Sequence, residues 1–190
     1  IGDISLNKII LKSEESFFEI APANQDLAGA EIDLVGIQDR EYMLKNAINA
    51  LKKSYDYILI DCPPTLNLLT VNALVAATAV LIPMQCEYYA LEGLSDLVNT
   101  IKRVKKQLNP KIEIEGLLRT LFDKRNTLAQ QVSDELSSHF GSKVYKTIIP
   151  RNVRLAEAPS HGKAALFYDK SSKGARAYLD LADEILERNK

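Results

Sequence analysis

The sequence predicts an α/β fold in which a mostly parallel sheet carries helices on both faces. Strand-like and helix-like segments alternate almost throughout the chain, which is typical of such sheets. Three apolar runs reach a proline, in the segments ILIDCPP, VLIPMQ and TIIPRN, and a proline there stops the hydrogen-bond ladder of a strand. The 190 residues and 46% hydrophobic content are enough for one continuous core, so we predict a single domain over residues 1–190.

The strands are predicted from short apolar runs that end at a turn signal. Residues 57–60 are apolar on both sides, as buried parallel strands are. The runs after them are closed by Pro83 and Pro150, and the run FFEIA near the start is closed by Pro22. The predicted strands are residues 17–21, 57–60, 79–82, 112–122 and 144–149.

The helices are predicted from apolar residues that recur with helical spacing. The clearest stripe runs from Leu91 to Leu108, and Asn109 and Pro110 end it. Gly141 closes the next predicted helix. The predicted helices are residues 40–53, 66–76, 91–108, 128–140 and 172–188.

The composition excludes several classes of protein. A net charge of −1 gives no global basic field, so any contact with nucleic acid must come from a local patch. Cys62 and Cys86 form no CxxC pair, and His139 and His161 are isolated, so neither a zinc site nor a disulfide framework is indicated. No apolar run approaches the ~18 residues of a membrane span, and no signal peptide is recognised. We expect a cytoplasmic protein with reduced thiols.

Asp61 stands at the tip of the predicted strand at residues 57–60, directly before Cys-Pro-Pro. In open parallel sheets, ligands bind outside the carboxyl ends of the strands. A lone buried carboxylate is costly, so Asp61 should face a cation, a water-bound metal or hydrogen-bond donors. Nucleoside triphosphatases hold magnesium with an aspartate in this position. The alternative is an aspartate that caps the following helix.

The segment YDYILIDCPPTLNLLTVNAL resembles the Walker B region of the ParA/Soj family of chromosome- and plasmid-partitioning ATPases. This family belongs to the MinD/ParA superfamily, which has a deviant Walker A motif. The likeness continues in order through APANQDLAGAEIDLV, IPMQCEYYALEGL, RTLFDKRNTLAQQV and IIPRNVRLAEAPSHGK, over nearly the whole chain. It implies a P-loop NTPase-like fold and a magnesium-dependent ATPase that switches as a homodimer. It also implies non-specific binding to nucleoid DNA, stimulation by a ParB/Spo0J-like partner, and no membrane partner.

The resemblance also assigns residues to an ATP/ADP site. Asp61 would hold Mg²⁺ through water, prolines after it would shape a loop beneath the γ-phosphate, and loops at two further strand ends would bracket adenine. The residues implied at this site are Asp61, Pro63, Pro64, Gln85, Phe122, Pro150 and Arg151. The alternatives are plain strand termination at the prolines and an ordinary strand-to-helix loop at Gln85.

Arg125 and Arg154 match the positions at which ParA relatives bind DNA. A protein that binds DNA without sequence preference needs only phosphate contacts, and the planar guanidinium of arginine suits them. The alternative is solvated charge, or pairing with Asp123 and Glu157. The basic residues on the polar side of the predicted helix at 91–108 are interpreted as a solvated face.

The family's phosphate-binding motif, KGGxGKT, is not found in these 190 residues, nor is any GxxxxGK[ST]. The nearest pair, Gly162–Lys163, lacks the upstream glycine and the Ser/Thr. We therefore expect the carboxyl-terminal part of a ParA/Soj-type ATPase, truncated at the amino terminus, that binds no nucleotide alone and hydrolyses no ATP. The alternative is a non-catalytic ParA-like fragment or paralogue that acts as a DNA- or partner-binding module. The residues encoded before Ile1 would separate the two.

Overall fold

The computed structural model describes residues 2–13, 18–63 and 65–190. The chain divides into two compact units, Ile1–Ala79 with Thr100–Glu113 and Val80–Asn99 with Ile114–Lys190. The helices are α1 (Leu6–Ile9), α2 (Ala30–Leu34), α3 (Met43–Asn49), α4 (Leu68–Ala76), α5 (Ala90–Gln107), α6 (Thr127–Phe140), α7 (Val153–Glu157), α8 (Ala165–Tyr168) and α9 (Lys173–Arg188). The strands are β1 (Leu11–Lys12), β2 (Glu19–Ile20), β3 (Ala79–Gln85), β4 (Glu113–Phe122) and β5 (Val144–Pro150).

The first unit is held by two buried asparagines around α4. The Asn72 side chain donates to the carbonyl oxygen of Arg40 (2.9 Å) and accepts from the N–H of Leu44 (3.1 Å). The Asn109 side chain donates to the carbonyl oxygens of Leu74 (2.9 Å) and Ala77 (2.7 Å). Asn72 thus ties α4 to residues 40–44, and Asn109 ties the carboxyl-terminal end of α4 to the chain after α5.

The second unit contains a three-stranded sheet in the order β3-β4-β5. β4 and β5 are parallel, with Leu117 opposite Val144 and Phe122 opposite Pro150. The sheet is flanked by helices, and α9 packs against β5. Their shared core consists of Leu118, Tyr145, Ile149, Ala177 and Leu181.

A side-chain clamp joins α9 to β5. The Glu184 carboxylate accepts the backbone N–H groups of Lys146 (2.9 Å) and Thr147 (2.8 Å). Arg188 donates to Glu184 (2.7 Å) and to the carbonyl oxygen of Val144 (3.1 Å). These charge-assisted bonds lie at a mostly buried position, where they are stronger than neutral hydrogen bonds.

The predicted α/β class with a parallel sheet is confirmed, and so are the helices at 66–76, 91–108, 128–140 and 172–188, each within two residues at either end. The predicted helix at 40–53 is shorter, because Arg40–Tyr42 is a 3-10 turn and α3 ends at Asn49. The strand predicted over 17–21 is observed at β2, and Phe17 lies outside the described residues.

The strand predicted at residues 57–60 was wrong, and the strand predicted at 79–82 is observed but ends later. Residues 57–60 form no strand, and Leu59 is 91% exposed. An apolar run becomes a strand only when another strand pairs with it, and no described strand does so here. β3 does not stop at Ile82 but continues through Pro83 to Gln85. An outer strand tolerates proline because one side of its backbone needs no ladder partner, and β3 is an outer strand among those described.

Candidate functional site

The carboxyl ends of β4 and β5 bring three of the predicted nucleotide residues together. Phe122 lies opposite Pro150 in the strand register, and the N–H of Arg151 donates to the carbonyl oxygen of Phe122 (3.2 Å). Phe122 is buried, Pro150 is half-buried and Arg151 is exposed. This edge therefore offers an apolar floor next to an exposed guanidinium.

A backbone irregularity shapes the same edge. Leu121 has φ 49°, in the left-handed region that non-glycine residues rarely adopt. The register between β4 and β5 shifts between Arg119 and Phe122, as at a β-bulge. Leu121 is exposed while Phe122, the next residue, is buried. Bulges commonly re-aim a side chain at the end of a strand, and here the buried side chain is the one that closes β4.

Gln85 is the last residue of β3 and is exposed. Its carbonyl oxygen accepts the N–H of Glu87 (3.0 Å), which begins the turn into α5. The neighbouring Cys86 is buried, and burial raises the pKa of its thiol. Since β3 is adjacent to β4 in the sheet, Gln85 belongs to the same sheet as Phe122 and Pro150.

Asp61 and Pro63 belong to the first unit and lie in a segment without regular structure. Both are exposed, and Pro64 lies outside the described residues. Asn67, not Asp61, caps α4, since its side chain accepts the N–H of Thr70 (2.9 Å). The alternative of a helix-capping aspartate is therefore wrong.

The described residues do not by themselves fit a magnesium site. Asp61 is a single exposed carboxylate, whereas Mg²⁺ requires six oxygen ligands. Across residues 2–13, 18–63 and 65–190, no group of three His, Cys, Asp or Glu side chains could hold a metal ion. Most of the metal ligands would have to be water and phosphate oxygens.

Arg125 and Arg154 are both engaged in surface ion pairs. The Arg125 guanidinium donates two hydrogen bonds to the Asp123 carboxylate, from Nη2 (2.8 Å) and from Nε (3.0 Å), and the Arg125 side chain is 90% exposed. Hydrogen bonds from Arg125 lower the pKa of Asp123 to about 2. Arg154 contacts Glu157 (2.8 Å) and Asp169 (3.5 Å). The pairing that was the alternative to a DNA contact is thus present, but exposed pairs of this kind are weak and leave the guanidinium faces open to solvent.

Arg119 is a half-buried cation that the sequence did not single out. Its guanidinium donates to the Ser133 hydroxyl (2.9 Å) and to the carbonyl oxygen of Tyr145 (2.6 Å), and burial lowers its pKa. These bonds join β4 to α6 and to the amino-terminal part of β5. The signal available in the sequence was an arginine inside an apolar strand.

Comparison with known proteins identifies the class of protein to which this chain belongs. A family model described as an AAA domain matches residues 1–114. The sporulation initiation inhibitor protein Soj of Bacillus subtilis is 54% identical over 185 residues, which cover 97% of this chain and 73% of that protein. The chromosome partitioning protein ParA of Myxococcus xanthus is 49% identical over 189 residues, covering 100% of this chain and 67% of the relative.

A solved structure from Mycobacterium smegmatis, described as a cobyrinic acid a,c-diamide synthase with bound ATP analog and magnesium, has a TM-score of 0.80. It is 36% identical to this chain, with coverage of 97% of this chain and 68% of the other. The fold and the matches together define a protein of the P-loop NTPase-like ParA/MinD class. The chain belongs to the ParA/Soj family of chromosome-partitioning ATPases, as its motifs predicted. None of the helices in the described ranges has the length and apolar character that a membrane crossing requires.

Proposed function

We propose that this chain serves DNA segregation as part of an ATP-switched dimer that binds DNA without sequence preference. A ParB/Spo0J-type partner would stimulate its ATPase cycle, and DNA binding would associate it with the bacterial nucleoid. The observation that carries this proposal is the 49–54% identity to named partitioning proteins over nearly the whole chain. Identity at this level over this length favours a shared activity, beyond a shared fold.

Nucleotide contacts are proposed for each unit by itself. The backbone around Phe122, Pro150 and Arg151 would receive adenine at the carboxyl edge of the sheet, with Gln85 nearby. Asp61 would hold water ligands of Mg²⁺, and Pro63 and Pro64 would shape the loop beside the phosphates. The bound ATP analog and magnesium in the related Mycobacterium smegmatis structure support this assignment.

The 190-residue chain would not hydrolyse ATP alone. Phosphoryl transfer depends on positioning and charge neutralisation around the phosphates, and no GxxxxGK[ST] occurs in this sequence. This same observation favours a second candidate, a non-catalytic ParA-like module for DNA or a partner. Sequencing the gene upstream of Ile1 separates the two, since an encoded KGGxGKT would support the ATPase for the longer product.

Arg125 and Arg154 would contact DNA phosphates. Both pairs are exposed, so a phosphate backbone can compete for the guanidinium groups against Asp123 and Glu157. Arg151 is also exposed, and its N–H donates to the carbonyl oxygen of Phe122, the residue before Asp123.

Two measurements test the proposal. Phosphate release with Mg-ATP should stay at background for the 190-residue chain and be restored in a gene product that includes an upstream P-loop.

DNA affinity of the ATP-bound longer product, measured by fluorescence anisotropy over a salt series, should fall in the R125E/R154E variant, with a salt slope flatter by about two. The matched control, K102E/K106E, changes the net charge equally on the solvated face of α5. Equal losses in both variants, or an unchanged slope in R125E/R154E, would remove the two arginines from the DNA surface.

A further inference from the structure

Residues 153–169 form an arm of short helices after β5. α7 is followed by a 3-10 turn at Ala158–His161, which Gly162 closes with a φ of 64° in the left-handed region. Leu155 packs directly on Gly174 of α9, where an added Cβ would lie 2.4 Å from the leucine side chain. The arm is therefore seated on α9, and the polar side chains along it have defined neighbours.

A chain of side-chain contacts runs along this arm from Arg154 to His161. Arg154 donates to the Glu157 carboxylate (2.8 Å) and lies 3.5 Å from the carboxylate of Asp169. The Tyr168 hydroxyl donates to the same oxygen of Glu157 (3.2 Å). The His161 ring stacks on the Tyr168 ring, with centroids 4.8 Å apart and an angle of 24° between the planes. Glu157 therefore lies between Arg154 on one side and the stacked rings on the other.

A positive charge on His161 acts on Glu157. The hydrogen bond from Arg154 is the main cause of the lowered pKa of Glu157, the Tyr168 hydroxyl contributes, and positive charge on His161 lowers this pKa further. A cationic imidazole also holds the Tyr168 ring more firmly, because aromatic faces attract cations. Protonation of His161 therefore gives the single negative charge of Glu157 a second cationic neighbour, and that neighbour repels Arg154.

The other charged groups near the imidazole keep their charge when the solution is mildly acidified. Lys163 is two residues further along the chain, and the first turn of α9, which packs against α7 and α8, carries Lys173 and Arg176. Lysine and arginine stay protonated and carboxylates stay ionised above about pH 5.5, whereas histidine side chains change charge between about pH 5 and 8. The other histidine of the chain, His139 on α6, contacts the carbonyl oxygen of Glu135 in its own helix (3.0 Å).

We propose that protonation of His161 releases Arg154 from Glu157, so that mild acid strengthens the contact of this arginine with DNA phosphates. The inference rests on the DNA role proposed above for Arg154. While the imidazole is neutral, the Glu157 carboxylate is paired with Arg154 (2.8 Å). Once the imidazole is protonated, it shares the charge of the carboxylate and adds a cation beside it. Both changes favour a polyanion, and replacing His161 removes both.

The first test needs no DNA and uses the 190-residue chain. The NMR signal of the Arg154 Nε–H group, assigned by its loss in R154K, reports the pairing of the guanidinium. This signal should shift between pH 7.0 and pH 5.5 in the parent chain and in the matched control H139Q, and it should not shift in H161Q. An equal shift in H161Q would overturn the proposal, because Arg154 would then respond to another group.

The second test measures DNA affinity of the ATP-bound longer product by fluorescence anisotropy at constant salt. Affinity should rise about threefold from pH 7.0 to pH 5.5 in the parent and in H139Q, and less than about 1.5-fold in H161Q. E157Q frees Arg154 at both pH values, so it should bind more tightly than the parent at pH 7.0 and gain less than about twofold on acidification.

R154E separates failure of this inference from failure of the DNA role. If R154E weakens DNA binding at both pH values while H161Q gains as much on acidification as the parent, the DNA role of Arg154 stands and the control by His161 is refuted. If R154E leaves DNA affinity unchanged at both pH values, the DNA role is refuted and the inference that rests on it fails as well. Circular dichroism of every variant at both pH values checks that the fold is kept.

Discussion

Replacing Glu184 by glutamine removes the charge from the clamp between α9 and β5. Burial alone would raise the pKa of Glu184, but the N–H groups of Thr147 and Lys146 and the guanidinium of Arg188 outweigh it. The pKa falls from its ordinary value of 4.5 to about 2. A shift of this size corresponds to about 3 kcal/mol of stabilisation at neutral pH, for a side chain that is 13% exposed. Since glutamine keeps part of the hydrogen bonding, we expect E184Q to lower the free energy of unfolding by about 2 kcal/mol.

The stability lost in E184Q should depend on pH, because the pKa of Glu184 differs between the folded and the unfolded chain. The folded pKa of Glu184 is below the unfolded one, so its stabilisation is complete above about pH 5 and is lost as pH falls from 4.5 towards 2. At pH 3 the contribution of the carboxylate is about 1.4 kcal/mol. The difference between the parent chain and E184Q should therefore shrink as the solution is acidified.

Urea unfolding followed by far-UV circular dichroism at pH 7, 4 and 3 measures both effects. D183N is the control, because the neighbouring Asp183 is exposed and its replacement should change stability by less than about 0.5 kcal/mol. Equal stability of E184Q and the parent chain at pH 7 would refute the clamp. A difference in the free energy of unfolding between the parent chain and E184Q that stays constant down to pH 3 would show that the shape of the side chain, not its charge, stabilises the clamp.

Three further predictions concern β4, β5 and the loop after β4. G116A should lower the free energy of unfolding by about 1–3 kcal/mol in urea titrations, because a new Cβ would lie 2.6 Å from the Tyr145 ring and 2.7 Å from the Lys143 carbonyl oxygen. Burial raises the pKa of Tyr145 to about 12, so stability should fall as pH rises from about 10 through 12, and Y145F should lose less between pH 8 and pH 11. D123N frees Arg125 from its ion pair, so it should tighten DNA binding about two- to fivefold in anisotropy titrations with a steeper salt dependence, and an unchanged slope would contradict the proposed phosphate contact.

The long amphipathic helices could be predicted from the sequence because their information is local. The stripe in residues 91–108 and the stop at Asn109 describe α5 almost completely. The Ser172 side chain accepts the N–H of Ala175 and begins α9, and Gly141 has the positive φ of 52° expected after α6. Apolar spacing and capping residues act within a few positions, so reading along the chain detects them.

Features that depend on distant partners could not be predicted. Residues 57–60 have the composition of a buried strand, but composition does not supply the strand that must pair with them. The roles of Asn72 and Asn109 depend on carbonyl groups about 30 residues away. At the candidate site, the sequence indicated that Phe122 and Pro150 close their strands, and it offered the Asp123 and Glu157 ion pairs as an alternative. The bulge at Leu121 carried no clear signal. The nucleotide and DNA roles of these residues stay predictions.

Glu184 and Arg188 also determine what β5 can recruit. β5 is an outer strand among those described, and an outer strand normally presents unpaired backbone groups that template another chain. Here the N–H groups of Lys146 and Thr147 and the carbonyl oxygen of Val144 are already taken by side chains of α9. An incoming strand would have to displace a carboxylate and a guanidinium before it could pair with these backbone groups of residues 144–147. This border of the sheet is therefore protected against the edge-to-edge aggregation to which exposed strands are prone, and a mutation at Glu184 would open it.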